Sequence, residues 1–448
     1  MLPTRRACSL ALACACAVAG LAGCSSGPPR SSCCLAPSAY ALDVTAAGQV
    51  RWQVPLPLPA LGAGRLSPLA VGPVAVFAQR DFLYALRLAD GHQVWSRNLG
   101  QNILADQIIA GMWRWRSTVI VLTGSSGGQL LIGLDASTGQ TRWTRLIPVG
   151  AEGSYRTADG GLAMLRWDDT LEVVDLSSGR VRWKRPAGYP PDSGQAYPPS
   201  VALAGGAVLL AVNGELTSYD DRTGQIRWTD MPGPAQLAAD LGEVSLQAAA
   251  GVVYLTGVEL QGGQQRQVLL GISAADGGVK WQFAPSPPET LGSYAPGLVS
   301  LTPSSGGTSQ EELDPATGRV RWQVASSYHA IATPGGIVTA AGTGSTHLIS
   351  VHDTLTGQTR WTASIAGLYV GWQQQAPALP VFPAGPLLVV PAGGLPAGGL
   401  AGPELLTALR LADGHRAWQV TTPEPVAAPP AAAPGGMLIY AADLRLPP

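Results

Sequence analysis

The sequence has few charged residues and almost no lysine. Asp, Glu, Lys and Arg make up 13% of the 448 residues, the formal net charge is −1, and Lys184 and Lys280 are the only lysines. A partner with a dense anionic backbone, such as nucleic acid, requires a basic field on the protein that binds it. The composition therefore excludes nucleic acid as an expected partner. The preference for Arg, together with abundant Ala, Gly and Pro, is typical of GC-rich bacterial genomes.

Glycine and proline are abundant instead. The chain contains 56 Gly and 38 Pro, and 46% of its residues are hydrophobic. This combination favours many short apolar strands separated by turns over long helices or a disordered polymer. The composition therefore predicts an all-β protein.

The first 24 residues have the organisation of an export signal. Arg5 and Arg6 supply positive charge, residues 7–19 form an apolar stretch too short to span a bilayer, and Leu21-Ala22-Gly23-Cys24 follows. This order resembles the bacterial lipoprotein signal, in which the cysteine receives the lipid and becomes the first mature residue. An ordinary secretory peptide is the alternative. A twin-arginine signal is disfavoured because bulky apolar residues do not follow Arg5-Arg6.

We therefore predict three regions: a signal peptide over 1–23, a lipidated Ser/Pro-rich tether over 24–38 with the lipid on Cys24, and a folded domain over 39–448. The predicted location is extracytoplasmic, on the cell membrane, or on an outer membrane if the host has one. Cys33 and Cys34 remain in the tether, and an oxidising compartment permits a strained vicinal disulfide between them. Their position before the folded domain favours an exposed pair without a catalytic role.

A nine-residue segment recurs along the folded region. Five copies begin with Asp and end with Trp, at 135–143, 175–183, 220–228, 314–322 and 353–361, and four looser copies keep a Trp four residues after a Gly. The glycines are Gly48, Gly91, Gly139, Gly179, Gly224, Gly277, Gly318, Gly357 and Gly414, and the tryptophans are Trp52, Trp95, Trp143, Trp183, Trp228, Trp281, Trp322, Trp361 and Trp418. Successive tryptophans are 39 to 57 residues apart, close to the length of one four-stranded propeller blade.

One interval shows the strands of a blade in order. Ala207–Val212 is an apolar strand, Asn213-Gly214 is a hairpin signal, Glu215–Tyr219 alternates, and Asp220–Gly224 turns the chain into the Trp-bearing strand. The Gly supplies a positive φ, and the Asp accepts hydrogen bonds from N–H groups of the turn. Arg or Lys precedes Trp in seven copies, so we expect the basic side chain in solvent and the indole buried between blades.

These elements resemble the PQQ-like propeller repeat, with Tyr40-Ala-Leu-Asp43, Tyr84-Ala-Leu86 and Thr138-Gly139 to Trp143 as examples. Among lipoproteins the chain is similar to the BamB family. The resemblance implies a single closed β-propeller of four-stranded PQQ-like blades. The repeat count gives nine blades and the family norm is eight, so one hairpin outside the ring is an alternative.

Closure of the ring is a separate expectation. The chain begins with the last two strands of a repeat, within Tyr40–Val54, and ends with what reads as the first strands of one, Gly436–Ala441 and Leu444–Leu446. Pairing the two ends would hide both sheet edges.

No reactive constellation stands out. A quinoprotein dehydrogenase would need a carboxylate base, Arg and Ca²⁺ ligands around PQQ, and the candidate acids, none of them in a recognisable motif, are Asp106, Glu152, Asp168, Asp169, Glu311 and Glu312. His92 and His415 share a turn position that favours exposure, whereas His347 and His352 have an odd spacing that predicts opposite faces of a strand. Gly124–Gly128 matches a nucleophile elbow only formally and reads as a loop. We therefore predict no catalytic residue, no metal site and no cofactor.

Four tryptophans lie outside the repeat register: Trp113, Trp115, Trp167 and Trp372. Trp113 and Trp115 share one face of a strand, with Met112 beside them, and either line a binding surface or pack in the core, of which core packing is favoured.

The expected function is binding rather than catalysis. We predict a membrane-anchored, monomeric ring that holds a protein, peptide or envelope ligand through its loops or its central funnel. Proteins of the BamB family assist outer-membrane protein assembly, but the GC-rich composition also suits bacteria without that machinery, so this role is not transferred. The alternatives are a PQQ-dependent dehydrogenase and a ligand-sensing module for a membrane partner.

Overall fold

The computed structural model describes residues 39–56, 66–79, 81–99, 108–125, 128–147, 151–156, 160–166, 168–188, 200–212, 215–230, 246–261, 264–285, 290–295, 297–302, 308–326, 330–342, 346–366, 381–391, 404–424, 426 and 429–442. Pro37–Pro448 form one compact unit. The predicted signal peptide, Cys24, the tether and Cys33-Cys34 lie outside the described residues. All the regular secondary structure in the described ranges is β-strand. No helix in these ranges is long and apolar enough to cross a membrane.

The strands of the first half are β1 (Ala39–Thr45), β2 (Val50–Pro55), β3 (Leu69–Val71), β4 (Val74–Gln79), β5 (Phe82–Arg87), β6 (Gln93–Asn98), β7 (Ile108–Trp115), β8 (Thr118–Ser125), β9 (Gly128–Asp135), β10 (Thr141–Ile147), β11 (Ala151–Arg156), β12 (Gly161–Arg166), β13 (Thr170–Asp175), β14 (Val181–Pro186), β15 (Ser200–Ala204), β16 (Ala207–Val212), β17 (Glu215–Asp220) and β18 (Ile226–Asp230). Those of the second half are β19 (Leu246–Ala249), β20 (Val252–Gln261), β21 (Gln264–Ser273), β22 (Val279–Phe283), β23 (Thr290–Ala295), β24 (Leu298–Thr302), β25 (Thr308–Leu313), β26 (Val320–Ser326), β27 (Ile331–Thr333), β28 (Gly336–Ala341), β29 (Thr346–His352), β30 (Thr359–Ala366), β31 (Phe382–Ala384), β32 (Leu387–Pro391), β33 (Glu404–Arg410), β34 (Arg416–Thr422), β35 (Ala431–Ala433) and β36 (Gly436–Ala442).

Within the described residues these strands form nine four-stranded antiparallel sheets, the blades of a β-propeller. Blades 1 to 8 each use four consecutive strands, from β3–β6 in blade 1 to β31–β34 in blade 8. The predicted all-β propeller is confirmed, with the blade number that the repeat count gives. All nine Trp-bearing strands belong to these sheets, so no repeat hairpin lies outside the ring.

Blade 9 joins the two ends of the chain. Its strand order is β2-β1-β36-β35, and β1 pairs with β36 over its whole length, from Ala39 opposite Ala442 to Thr45 opposite Gly436. The predicted closure is confirmed in its main feature. The innermost strand differs from the expectation, because β35 precedes β36 in the chain, whereas Leu444–Leu446 lies outside the described residues.

Contacts between Trp and Gly join each blade to the next. All nine repeat glycines have φ between 66° and 81°, a region that L side chains rarely adopt. A Cβ atom on any of them would come closer than 3.0 Å to the Trp of the preceding blade. Gly91 meets Trp52, Gly139 meets Trp95, and the series continues until Gly48 meets Trp418, so the contacts return to their starting blade. Each turn therefore needs Gly both for its φ and for the room that the indole occupies.

The indole N–H groups add a directional link between blades. In seven blades Nε1 donates to a carbonyl three residues before the Gly of the next blade, at 2.9 to 3.1 Å. Nε1 of Trp143 and Nε1 of Trp418 have no hydrogen-bond partner among the residues that the structure describes. At the closing seam the turn is one residue tighter, since Gly48 N–H donates to the Thr45 carbonyl. This change accompanies the loss of the Trp418 bond.

The Asp of the repeat holds its turn together. Asp314 Oδ1 accepts from the N–H groups of Ala316 and Thr317, both at 2.9 Å, as predicted. The residue before Trp does more than meet solvent, because Arg321 Nη2 lies 2.7 Å from Asp314 Oδ2. This guanidinium is the largest influence that lowers the pKa of Asp314, to about 2. The same ion pair recurs in four other close copies.

Candidate functional site

The first strand of each blade lies nearest the ring axis. β3 contacts β35 on one side and β7 on the other, and β15 likewise contacts β11 and β19. First strands of successive blades therefore stand side by side and form the wall of the central channel. Residues on these strands are the ones that a ligand in the channel would meet.

A cavity of about 450 Å³ opens on this wall where blades 9, 1 and 2 meet. It lies beside the blade that closes the ring. Its lining residues are Pro68, Leu69, Ala70, Met112, Trp113, Arg114, Ala431 and Ala432. Apart from one charged side chain, the side chains that line the cavity are apolar and range in size from Ala to Trp.

Arg114 is that charged side chain. It is the penultimate residue of β7, the first strand of blade 2. The same position in the first strands of blades 7, 8 and 9 is occupied by Ala332, Pro383 and Ala432, and all four residues are exposed. Among the described side chains at this position, no other is charged. Arg114 Nη1 donates to the Ala70 carbonyl of blade 1 at 3.0 Å, which fixes the guanidinium beside the cavity. Sequence analysis did not identify Arg114, since nothing in its local pattern marks it.

The two tryptophans on β7 occupy the core position that was favoured for them. Trp113 and Trp115 pack against the apolar cluster between blades 2 and 3, which includes Ile120 and Leu162. Trp113 also borders the cavity, whereas Met112 belongs to the cluster between blades 1 and 2. Trp167 and Trp372 lie outside the described residues.

The structure does not bring the candidate acids together. Asp168 pairs with Arg166 at 2.6 Å in blade 3, and Asp169 Oδ2 accepts from Gly188 N–H at 3.2 Å. Glu311 and Glu312 are buried on β25 of blade 6. Asp106 and the side chain of Glu152 lie outside the described residues. In the part of the chain that the structure describes, no group of three His, Cys, Asp or Glu side chains is close enough to hold a metal ion.

The histidines and the loop motif have structural surroundings. His92 and His415 are exposed on their turns, whereas His347 and His352 are buried on β29. The His352 ring nitrogens lie 2.8 Å from Thr339 Oγ1 and 3.3 Å from Thr359 Oγ1. Gly124–Gly128 spans the hairpin between β8 and β9, where Ser125 pairs with Gly128. The motif therefore lacks the strand-to-helix turn of a nucleophile elbow.

Comparisons with solved structures match most of the chain. A eukaryotic initiation factor matches with a TM-score of 0.53 and 9% identity over 91% of this chain and 98% of that chain. BamB from Moraxella catarrhalis matches with 16% identity and a TM-score of 0.43 over 86% of this chain and all of that chain. Quinohemoprotein alcohol dehydrogenase from Comamonas testosteroni matches with 11% identity and a TM-score of 0.43 over 92% of this chain and 78% of that chain. These identities are too low to carry function.

The family comparison is more specific. A search of curated proteins gives no match. One family model matches residues 38–197, 115–239, 167–329 and 311–446 in overlapping segments. The matches therefore run through all nine blades and through both chain ends of the closing blade. The chain belongs to the family described as outer membrane protein assembly factor BamB.

Proposed function

We propose that the chain is an extracytoplasmic, non-catalytic binding scaffold, held at the membrane by a lipid on Cys24, whose central channel receives a segment of a protein partner. The observation that carries this proposal is the cavity of about 450 Å³ between the first strands of blades 9, 1 and 2. Its volume lies within the range of about 300–1,000 Å³ that is usual for ligand pockets.

The walls of the cavity suit an extended peptide. Ala70, Ala431 and Ala432 leave room close to the backbone, and Leu69 and Met112 supply apolar surface. Arg114 adds a cation that is already held by a hydrogen bond to the neighbouring blade, so its position costs little further ordering when a ligand binds. A peptide with apolar side chains beside a carboxylate matches this combination.

The rigidity of the ring supports the same proposal. Indoles and glycines connect each blade to the next through the whole circle, and close-packed seams of this kind move little when a partner binds. The family to which the chain belongs is described as an assembly factor for outer membrane proteins. We therefore propose a cell-envelope protein as the partner.

Site-specific photocrosslinking in intact cells tests the proposal. A photoreactive phenylalanine analogue at Ala432 lies at the cavity, and the same analogue at Ala332 occupies the equivalent strand position in blade 7, away from it. We expect one discrete protein adduct from position 432, a weaker one from 332, and loss of the first when Arg114→Gln is added. Equal adducts from both positions, or an adduct that is unaffected by Arg114→Gln, would exclude the cavity as the binding site.

A further inference from the structure

One position of the repeat lies directly opposite the Trp across the last two strands of each blade. In seven blades it carries a small or apolar residue: Ala85, Gly133, Val173, Ser218, Gly271, Val351 and Ala408. The other two blades have carboxylates, Asp43 opposite Trp52 and Glu312 opposite Trp322. A carboxylate in this row is unusual because the row faces buried apolar surface.

The two carboxylates have different surroundings. Asp43 is fully buried and forms an ion pair with Arg51 at 2.9 Å, which partly offsets the burial that raises the pKa of Asp43. The residue equivalent to Arg51 in blade 6 is Arg321, and its guanidinium pairs with Asp314 of the turn. Glu312 is only 7% exposed, yet the nearest repeat arginine is engaged by another acid.

Glu312 also meets the neighbouring blade. Its Oε1 lies 3.5 Å from the position that a Cβ atom on Gly297 would occupy, and Tyr254 Oη of blade 5 lies 3.4 Å from the same point. Gly297 has φ of +82° in the turn between β23 and β24. The absent side chain at Gly297 thus leaves space beside both the Glu312 carboxyl and the Tyr254 phenol, in the seam between blades 5 and 6.

We propose that Glu312 makes the packing of blade 6 against its neighbours depend on pH, with a tight seam when the carboxyl is protonated and a looser one when it is ionised. The physical cause is that a neutral carboxyl can be buried near Tyr254 and Trp322, whereas a carboxylate there loses its hydration and has no ion-pair partner among the described residues. This inference does not depend on what the ring binds.

The surrounding groups leave Glu312 as the one that titrates near neutral pH. Burial raises the pKa of Glu312 from 4.5 to about 7, against a smaller opposing effect of Arg321. Burial also raises the pKa of Tyr254 above 10, and the pKa of Asp314 is held at about 2, chiefly by Arg321. From blade 7, His352 stacks on Trp322 with ring centroids 6.4 Å apart, and burial lowers its pKa below 6.5. Glu311, the next residue on β25, lies on the opposite face of the sheet.

The sign of the effect follows from the raised pKa. A group whose pKa is higher in the folded state stabilises that state fully below its unfolded pKa and loses this contribution as the pH rises through the folded value. The contribution of Glu312 to the stability of the folded ring should therefore be full below pH 4.5, should decrease as the pH rises towards 7, and should be lost above that value.

Fluorine NMR of protein labelled with 5-fluorotryptophan gives a local test. The resonance of Trp322 is assigned by its loss in Trp322→Phe, and spectra are recorded from pH 5 to pH 9. We expect the Trp322 resonance to move with a one-proton midpoint near pH 7 and to be flat in Glu312→Gln. The Trp183 resonance serves as an internal control, because the residue opposite this indole is Val173.

Two control variants and urea unfolding test whether the titration belongs to Glu312. Glu215→Gln removes a carboxylate from the equivalent strand of blade 4 and should leave the titration of Trp322 intact. His352→Asn should also leave the titration of Trp322 intact, since burial lowers the pKa of His352 below 6.5. Urea unfolding of the wild-type protein should give a lower midpoint at pH 8.5 than at pH 6, and Glu312→Gln should narrow that difference. A Trp322 resonance that is flat in the wild type, or a titration that persists in Glu312→Gln or vanishes in His352→Asn, would overturn the proposal.

Discussion

The contact between Gly224 and Trp183 allows the energy of one blade seam to be measured. Gly224 has φ of +66°, and a Cβ atom there would lie 2.5 Å from Cδ2 of the indole. In Gly224→Ala two costs add. A left-handed conformation costs a non-glycine residue about 1–2 kcal/mol, and overpacking a tight interface costs about 1–3 kcal/mol. We therefore expect the free energy of unfolding to fall by about 2–5 kcal/mol.

The same blade supplies a control for the first cost. Gly205 has φ of +49°, and a Cβ atom there would meet nothing within 4 Å. Gly205→Ala should therefore cost only the conformational part, about 1–2 kcal/mol. Urea unfolding followed by circular dichroism gives both values. If the two variants were destabilised equally, the indole would not fill the space above Gly224, and the packing argument for the seam would be refuted.

Three further predictions concern the turn, the anchor and the chemistry. Asp314→Asn should lower the urea midpoint at pH 7. The difference in midpoint from wild type should shrink as the pH falls from 3.8 towards 2, because the pKa of Asp314 is lowered chiefly by Arg321. A difference in midpoint that is constant with pH would contradict this. Cys24→Ser should move the protein from the membrane to the soluble fraction, and continued membrane retention would exclude the lipid anchor. Added PQQ and Ca²⁺ should produce neither a spectral change nor dye-linked alcohol oxidation in the purified protein, and measurable oxidation would favour a dehydrogenase.

Local sequence determines most of the blade. The turn before each Trp needs a positive φ, a side-chain acceptor and a flat buried ring, and each requirement restricts the residue type at one position. For this reason the repeat predicts the turn at Gly224, the burial of Trp183 and the pairing of β1 with β36. It also predicts the count of nine, because each copy of the motif supplies one blade.

The features that the sequence did not predict depend on which side chains the fold brings into contact. Arg321 is exposed, as expected, but it also pairs with Asp314, seven residues earlier, because the intervening turn brings the two side chains together. Glu312 was one of several scattered acids, and its surroundings include Tyr254 of blade 5 and Gly297 in the turn before β24. Arg114 borders a cavity made with β3 and β35, the latter more than 300 residues further along the chain. No local pattern indicates the surroundings of Glu312 or Arg114, whereas the Asp and the Arg seven residues later recur in five copies of the repeat.

Closure of the ring by β1 and β36 is the central claim, and a disulfide between these strands tests it most directly. Val44 and Met437 are buried cross-strand partners. In a background without Cys24, Cys33 and Cys34, Val44→Cys with Met437→Cys should oxidise to one intramolecular disulfide in the folded monomer, whereas Val44→Cys with Val338→Cys of blade 7 should not. Absence of that disulfide in folded protein, or its formation only between two chains, would contradict a ring closed by its own termini.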